Sequence, residues 1–301
     1  MSKSHDNCGF LQFLVTLVMK PIEKIRENTT IKGSSDRMMS MDFTLNKGRV
    51  KSSPIVIFCH GYKGFKDWGC WNLVADKFAE NGFNFLKFNF SHNGVTSANL
   101  TEFTDLEAFG NNNYCKELFD LEKIIDWVSN PNEFSEYIDL DNIYLIGHSR
   151  GGGIVSLTAA KDKRIAKAVT WASVSNLIDR IPKNTEEWKE EGVVYQMNGR
   201  TNQNMPLFYQ FHENTIANKD RLDIAKLGKK IEIPFCIIHG RDDAVVNEME
   251  AEKLDSYIST STLIVIAGAG HTFGNSHPWL ENELPKQLKQ VVEESISFLK
   301  V

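Results

Sequence analysis

The chain has 301 residues, of which 42% are hydrophobic and 24% charged, and a formal net charge of −5. It is long enough to bury a substantial core without disulfide or metal staples. The acidic balance argues against a nucleic-acid-binding protein, which needs a basic face, and no run of like charge marks an interaction tail.

The first element along the chain is an apolar run, Phe10 to Met19 (FLQFLVTLVM). It is too short to span a bilayer, and Lys20-Pro21 follows without a small-x-small cleavage site. It reads as a helix docked on the domain or an extension, with export or membrane association as the alternative. Residues 1–35 are accordingly set apart as an N-terminal extension, and one domain is expected over 36–301. Met38–Leu45 (MMSMDFTL) alternates as a half-buried edge strand does. Pro54–His60 (PIVIFCH) is a continuous apolar run, the pattern of a strand covered on both faces. Further strands are expected at Phe83–Phe90, Asn142–His148, Ala166–Ala172, Pro234–Gly240 and Thr262–Gly268. Helical patterns lie between them: WNLVADKFAENG ends on an Asn-Gly stop, and CKELFDLEKIIDWVSNP ends before Pro131. NEMEAEKLDSYI and the C-terminal LPKQLKQVVEESISFLK are amphipathic. Strands alternating with helices imply an α/β protein with a mostly parallel sheet covered by helices on both faces. Its ligands should gather beyond the carboxyl ends of the strands.

One interval breaks the rhythm. Residues 173–230 are far longer than an ordinary helix–strand connection and hold Trp188, Tyr195, Phe208, Tyr209, Phe211 and His212. They read as an inserted helical cap over the strand ends, with Trp188 and Phe208 as candidate substrate contacts. The five cysteines are scattered and form no CxxC pair, so neither a zinc site nor a disulfide framework is expected, and reduced thiols fit a cytoplasmic protein.

Gly147-His148-Ser149-Arg150-Gly151 matches G-x-S-x-G between an apolar strand and a small-residue helix start. A tight elbow of this kind drives the serine toward positive φ. It leaves no room for side chains two residues before and after, and glycine stands at both places. Ser149 would then sit at a helix N-terminus, where free N–H groups favour developing negative charge.

A serine hydroxyl needs a base to take its proton. On this architecture the acid and then the histidine follow the nucleophile in the chain. Past the strand PFCIIHG lie Asp242 and Asp243, and only His271 and His277 come later. His271 directly follows the last strand and is the expected base; His277 is left as surface or pocket wall. Asp243 is the preferred acid, with Asp242 as the alternative that braces the turn. An oxyanion hole completes such a site. One donor would be the backbone N–H of Arg150. The other would be that of Tyr62, in the loop His60-Gly61-Tyr62-Lys63-Gly64.

Together HGYKGFKDW, GHSRGG, HGRDDAVV and GAGHTF resemble the α/β-hydrolase superfamily. Within it they look like the dienelactone-hydrolase-like, prolyl-oligopeptidase-like and cinnamoyl (feruloyl) esterase-like group. The resemblance covers about Asp36 to Leu299. It implies the α/β-hydrolase fold, a Ser149–Asp243–His271 triad, Tyr62 and Arg150 as backbone donors, and a helical insertion where the esterases of the group carry one. The chain departs from the group in places. Dienelactone hydrolases use a cysteine nucleophile. Many relatives have D-x-x-G-x-G where this chain reads Asn89-Phe90-Ser91-His92-Asn93-Gly94, so His92 touches substrate or sits in a turn. The run TEFTDLEAFGNNNY has no assigned role.

The expected function is a serine hydrolase of carboxylesterase type. It would cleave small-molecule carboxylic esters through an acyl-enzyme, with no cofactor, metal, nucleic acid or membrane span. A peptidase or thioesterase of the same fold, or a non-catalytic binding module, are the alternatives.

Overall fold

The computed structural model describes residues 29–45 and 52–301, so the apolar run Phe10–Met19 lies outside the described residues. In chain order the elements are β1 (Thr29–Lys32), β2 (Met38–Thr44), β3 (Ser53–Cys59), α1 (Trp71–Glu80), β4 (Asn84–Phe88), β5 (Val95–Thr96) and β6 (Asn99–Phe103). Then come α2 (Leu106–Gly110), α3 (Tyr114–Ser129), β7 (Ile138–His148), α4 (Arg150–Ala159) and β8 (Ile165–Trp171). An insertion follows, with α5 (Thr185–Glu191), β9 (Val193–Asn198), β10 (Gln203–Phe208), α6 (Gln210–Ala217), α7 (Lys219–Leu222) and α8 (Ile224–Gly228). The chain closes with β11 (Phe235–Gly240), α9 (Met249–Tyr257), β12 (Ser261–Ile266) and α10 (Lys286–Lys300).

The main sheet has eight strands in the order β1-β2-β4-β3-β7-β8-β11-β12. β2 runs antiparallel to both β1 and β4, and the remaining neighbours are parallel. The uninterrupted apolar runs follow from this burial. Along β3, Ile55 and Ile57 point into a core with Leu121 and Ile124 of α3 and Ile154 of α4. Val56 and Phe58 point the other way, against Val74 and Phe78 of α1 and Val291 of α10. A strand period of two thus feeds two helical layers at once. No helix among the described residues is long and apolar enough to cross a membrane.

Three expectations change. Met38–Leu45 is not a half-buried edge strand: β2 lies between β1 and β4 with Met39 to Thr44 buried, its polar Ser40 and Asp42 being partnered by Asn89 and Lys66. The sheet begins at Thr29, ahead of the boundary expected at residue 36, because the short edge strand β1 pairs with β2. The insertion is also not purely helical: β9 and β10 form an antiparallel hairpin, with Asn198 opposite Gln203 and Val193 opposite Phe208.

The asparagine-rich run finds its role as the seat of this insertion. Asn113 caps α3 through the Lys116 N–H (3.0 Å), and its amide donates to Oε1 of Gln210 (2.8 Å). Gln210 Nε2 donates back to the carbonyl of Asn112 (2.9 Å). Gln203 of the hairpin bonds the carbonyl of Phe103 (2.9 Å).

Asp120 of α3 ties two other loops together. It accepts from the Ser34 N–H (2.7 Å), the Ser91 N–H (2.8 Å) and the Ser91 hydroxyl (2.7 Å). Burial pushes its carboxyl up to about 6 against these hydrogen bonds, which favour the charged form. A carboxyl near 3.9 in the unfolded chain and about 6 in the folded one binds more protons when folded, so it favours the folded state at low pH. That contribution is lost as pH rises through 6 and amounts to roughly 2–3 kcal/mol. Urea unfolding of the wild type and of Asp120→Asn between pH 4 and 7 should therefore give a stability difference that shifts against the wild type as pH rises. A difference that stays flat with pH would contradict the assignment.

Candidate active site

β7 ends at His148 and α4 starts at Arg150, leaving Ser149 between them with φ 56° and ψ −119°. This is a costly conformation for a residue with a side chain. It is held from both sides. The Ser149 N–H donates to the Trp171 carbonyl of β8 (2.8 Å), and the Ser149 carbonyl accepts from the Gly152 N–H (3.0 Å). The flanking glycines are required by close approach. A Cβ on Gly147 would stand 2.3 Å from the Gly151 carbonyl oxygen, and one on Gly151 would stand 2.4 Å from that of Cys59.

The turn aims the serine hydroxyl at His271, in the loop after β12. Ser149 Oγ donates to His271 Nε2 (3.0 Å), and His271 Nδ1 donates to Asp243 Oδ2 (2.8 Å). The other oxygen of Asp243 accepts from the N–H groups of Val245 and Val246, each at 2.8 Å. Burial opposes the charge on Asp243, but His239 close by and hydrogen bonds from His271 and Val246 together outweigh it and hold the carboxyl well below its ordinary range. The alternative acid, Asp242, is exposed and braces the turn through its own N–H to the Ala269 carbonyl (2.9 Å). His277 is neither base nor cavity wall; its Nδ1 accepts from the Gly69 N–H (2.8 Å).

Two further histidines belong to the arrangement and were not singled out from the sequence. His239, at the end of β11, donates from Nε2 to the Val246 carbonyl (2.8 Å) and stands 3.4 Å from Asp243 Oδ2. His148, beside the serine, donates from Nε2 to the His271 carbonyl (2.9 Å). Burial, reinforced by His271, pushes the His148 pKa down to about 3, so it is a neutral strut. Their signal was positional: His148 is adjacent to Ser149, and His239 lies four residues before Asp243.

The loop after β3 carries Tyr62. It passes so close that a Cβ on Gly61 would lie 3.0 Å from that of Ser149. His60 Nδ1 donates to the Gly61 carbonyl (2.9 Å), and the Gly64 N–H donates to the same oxygen (3.0 Å). Deeper in, a buried quartet pins the loop to the sheet. Lys66 Nζ donates to both oxygens of Asp42 (2.9 Å each) and to Asp67 (2.5 Å). Lys87 of β4 donates to Asp67 (2.6 Å) and to Asp42. Two ammonium and two carboxylate groups balance, which is the condition for burying them. The Arg150 guanidinium covers the Tyr62 ring, 3.9 Å from its centre, and pairs with Glu117 at 3.4 Å.

Ser149 stands where two cavities meet. The larger, about 380 Å³, is walled by Arg150, Val174, Leu177, Leu207, Phe211 and Val246 among others. The smaller, about 200 Å³, is walled by Trp68, Trp71, Asn198 and Arg200 among others. The hairpin of the insertion contributes to both. The three candidate substrate contacts line neither cavity. His92 is buried on Ser91 Oγ (2.7 Å) and Lys116 (3.3 Å). Trp188 is buried inside the insertion, its indole N–H on the Leu207 carbonyl (2.9 Å). Phe208 packs on Gly110 and helps seat the insertion. Aromatic character made Trp188 and Phe208 candidate substrate contacts, but it could not say that they face the packing of the insertion rather than the cavities.

A family model described as alpha/beta hydrolase fold matches residues 54–195. A bifunctional esterase/perhydrolase of Acinetobacter calcoaceticus is 23% identical over 258 residues, which cover 73% of this chain and 86% of that protein. Among solved structures, Est1E from Butyrivibrio proteoclasticus with ferulic acid bound is 16% identical. The match covers 90% of this chain and 98% of that one, with a TM-score of 0.69. Dienelactone hydrolase from Anabaena variabilis is 15% identical, with 91% and 96% covered and a TM-score of 0.59.

Replacing Gly151 with alanine should destabilise the fold by about 2–3 kcal/mol, because backbone carbonyls of Cys59 and His60 would have to move. Urea unfolding measures it, and a change below about 0.5 kcal/mol would mean that the elbow tolerates a side chain there.

Proposed function

We propose that this chain, which has the α/β-hydrolase fold, is a serine hydrolase of carboxylesterase type. The reading rests above all on the hydrogen-bonded line Ser149–His271–Asp243, at 3.0 and 2.8 Å, opening onto two cavities. Ser149 Oγ attacks the ester carbonyl while His271 Nε2 takes its proton. Asp243 keeps Nδ1 protonated, so that Nε2 is free to accept, and it stabilises the imidazolium that forms. The carbonyl oxygen becomes an oxyanion and is met by the N–H groups of Tyr62 and Arg150, each worth about a hundred- to thousandfold in rate for such donors. The tetrahedral intermediate collapses, and His271 returns the proton to the departing alcohol. Water then repeats the sequence on the acyl-enzyme and releases the acid.

The strained turn at Ser149 supports the same reading, since strain of this kind collects where geometry serves chemistry. The two small chambers favour a small ester over a polypeptide. A cytoplasmic location belongs to this reading too: the described cysteines, Cys59, Cys70, Cys115 and Cys236, are free thiols.

Ser149→Ala should lower hydrolysis of p-nitrophenyl butyrate by about a thousandfold or more, and Asp243→Asn by roughly ten-thousandfold, because asparagine would hold His271 in the wrong tautomer. A fluorophosphonate probe should add to the wild type at Ser149, as read by intact mass, and leave Ser149→Ala unmodified. Undiminished turnover by Ser149→Ala would end the proposal.

A further inference from the structure

The larger chamber beside Ser149 has an aliphatic wall of Val174, Leu177, Leu207 and Val246, with aromatic and polar side chains around it, and it contains an arginine whose hydrogen-bonding capacity is mostly unspent. Arg150 keeps only 12% of its side chain exposed. Its guanidinium is enclosed by the rings of Tyr62 (3.9 Å to the centre), Tyr114 (5.2 Å) and Phe211 (5.5 Å). A guanidinium has five N–H donors. Among the described residues the Arg150 guanidinium makes one hydrogen bond, to Oε1 of Glu117, and at 3.4 Å it is long. That oxygen already accepts a 2.7 Å bond from the Asn112 amide. The Tyr62 hydroxyl at this chamber is also buried without a partner among the described residues.

The charges around the chamber point the same way. Lys63 and Arg180 line it together with Arg150, and no aspartate or glutamate does. Arg180 has its counter-charge behind the wall in Glu250 (3.7 Å), while Lys63 donates to a neutral carbonyl, that of Met197 (2.9 Å). A chain with net charge −5 thus presents a cationic lining next to its serine. A planar fork of donors, largely buried and lined by cations rather than carboxylates, is what a carboxylate matches, by two parallel hydrogen bonds.

We propose that the larger chamber holds the arm of the ester that carries a carboxylate, bound by the Arg150 guanidinium, with the aliphatic wall packing the chain between the carboxylate and the ester. This makes the side chain of Arg150 a specificity determinant, separate from the role of its backbone N–H. The inference builds on the serine-hydrolase reading, because it concerns the substrate of the same site.

The test measures binding in Ser149→Ala protein by calorimetry, so it does not depend on turnover. Two charged esters are each compared with a neutral counterpart. Mono-4-methylphenyl glutarate, charged on the acyl arm, is set against 4-methylphenyl pentanoate. 4-Butyryloxybenzoate, charged on the alcohol arm, is set against 4-methylphenyl butyrate. One of the charged esters should bind about ten- to a hundredfold more tightly than its counterpart, and added salt should narrow the gap. Arg150→Met should remove the preference. Glu117→Gln should increase it by stripping away the competing carboxylate, a direction that a merely structural arginine would not produce. If neither charged ester outbinds its counterpart, or if Glu117→Gln leaves the preference unchanged or lowers it, the proposal is overturned. The serine-hydrolase reading is tested separately, by the Ser149 dependence of p-nitrophenyl butyrate hydrolysis.

Discussion

The site depends on one unfavourable backbone conformation being made obligatory. Ser149 holds φ at 56° because β7 delivers it beside β8, where its N–H bonds the Trp171 carbonyl, and α4 must leave at once across β3. That crossing brings Gly151 so near the Cys59 and His60 carbonyls that no side chain fits. The conformation costs on the order of 1–3 kcal/mol, and the sheet and helix packing around it can hold it in place. Its consequence is geometric. The hydroxyl is carried at the N-terminus of α4, turned toward His271.

Apolar packing alone could not position the rest of the site, which sits on loops. Burial is non-directional, whereas a loop has to be held to a few tenths of an ångström. Buried polar groups supply that direction here. The Lys66–Asp42–Lys87–Asp67 quartet fixes the stretch just beyond Tyr62. Burial tends to discharge Lys87, and the facing carboxylates of Asp42 and Asp67 act against that, with Lys66 opposing them. The His271 loop is held in the same manner by His148, and Asp243 by two backbone N–H groups and the nearby His239. Each such group would be a liability if left unpartnered, so the network specifies one arrangement of loops rather than simply adding stability.

What could be read from the sequence follows the same division. The strands from β3 onward were legible because a buried strand advertises itself as a continuous apolar run; β2 was found by its alternation, but that pattern hid its burial, since Ser40 and Asp42 are buried with partners of their own. β1 was not legible, since a four-residue half-exposed edge strand such as TTIK has no pattern to distinguish it from a loop. Ser149 was legible through its glycines. His271 and Asp243 were legible because the chain order of such a site and its strand ends leave few choices, and the structure brings all three within hydrogen-bond reach. His239 and His148 were hidden because nothing in a local sequence says which way a strand-end histidine points. His92 was drawn toward the site by its place after β4, but Ser91 Oγ and Asp120 turn it into the loop's own hydrogen-bond chain. The insertion was recognisable by length and opaque in shape, for the β9 strand of its hairpin is mostly half-exposed or exposed and its seat on Asn112 and Asn113 joins segments far apart in the chain.

That last point bears on where selectivity can arise. The chemistry of such a site is carried by elements of the sheet, whose geometry is fixed by close backbone contacts and tolerates little change. The walls of the two chambers come largely from elsewhere: Leu207 and Phe211 from the insertion, Asn198 and Arg200 from its hairpin, and Val174 and Leu177 from the connection that leads into it. Arg150 stands at the boundary, with its backbone in the elbow and its side chain among rings from three different segments. A change in the insertion can therefore reshape either chamber without moving Ser149 or His271. A change at residue 150 alters charge in the chamber while leaving the elbow N–H in place, because the backbone group does not depend on the side chain that follows it.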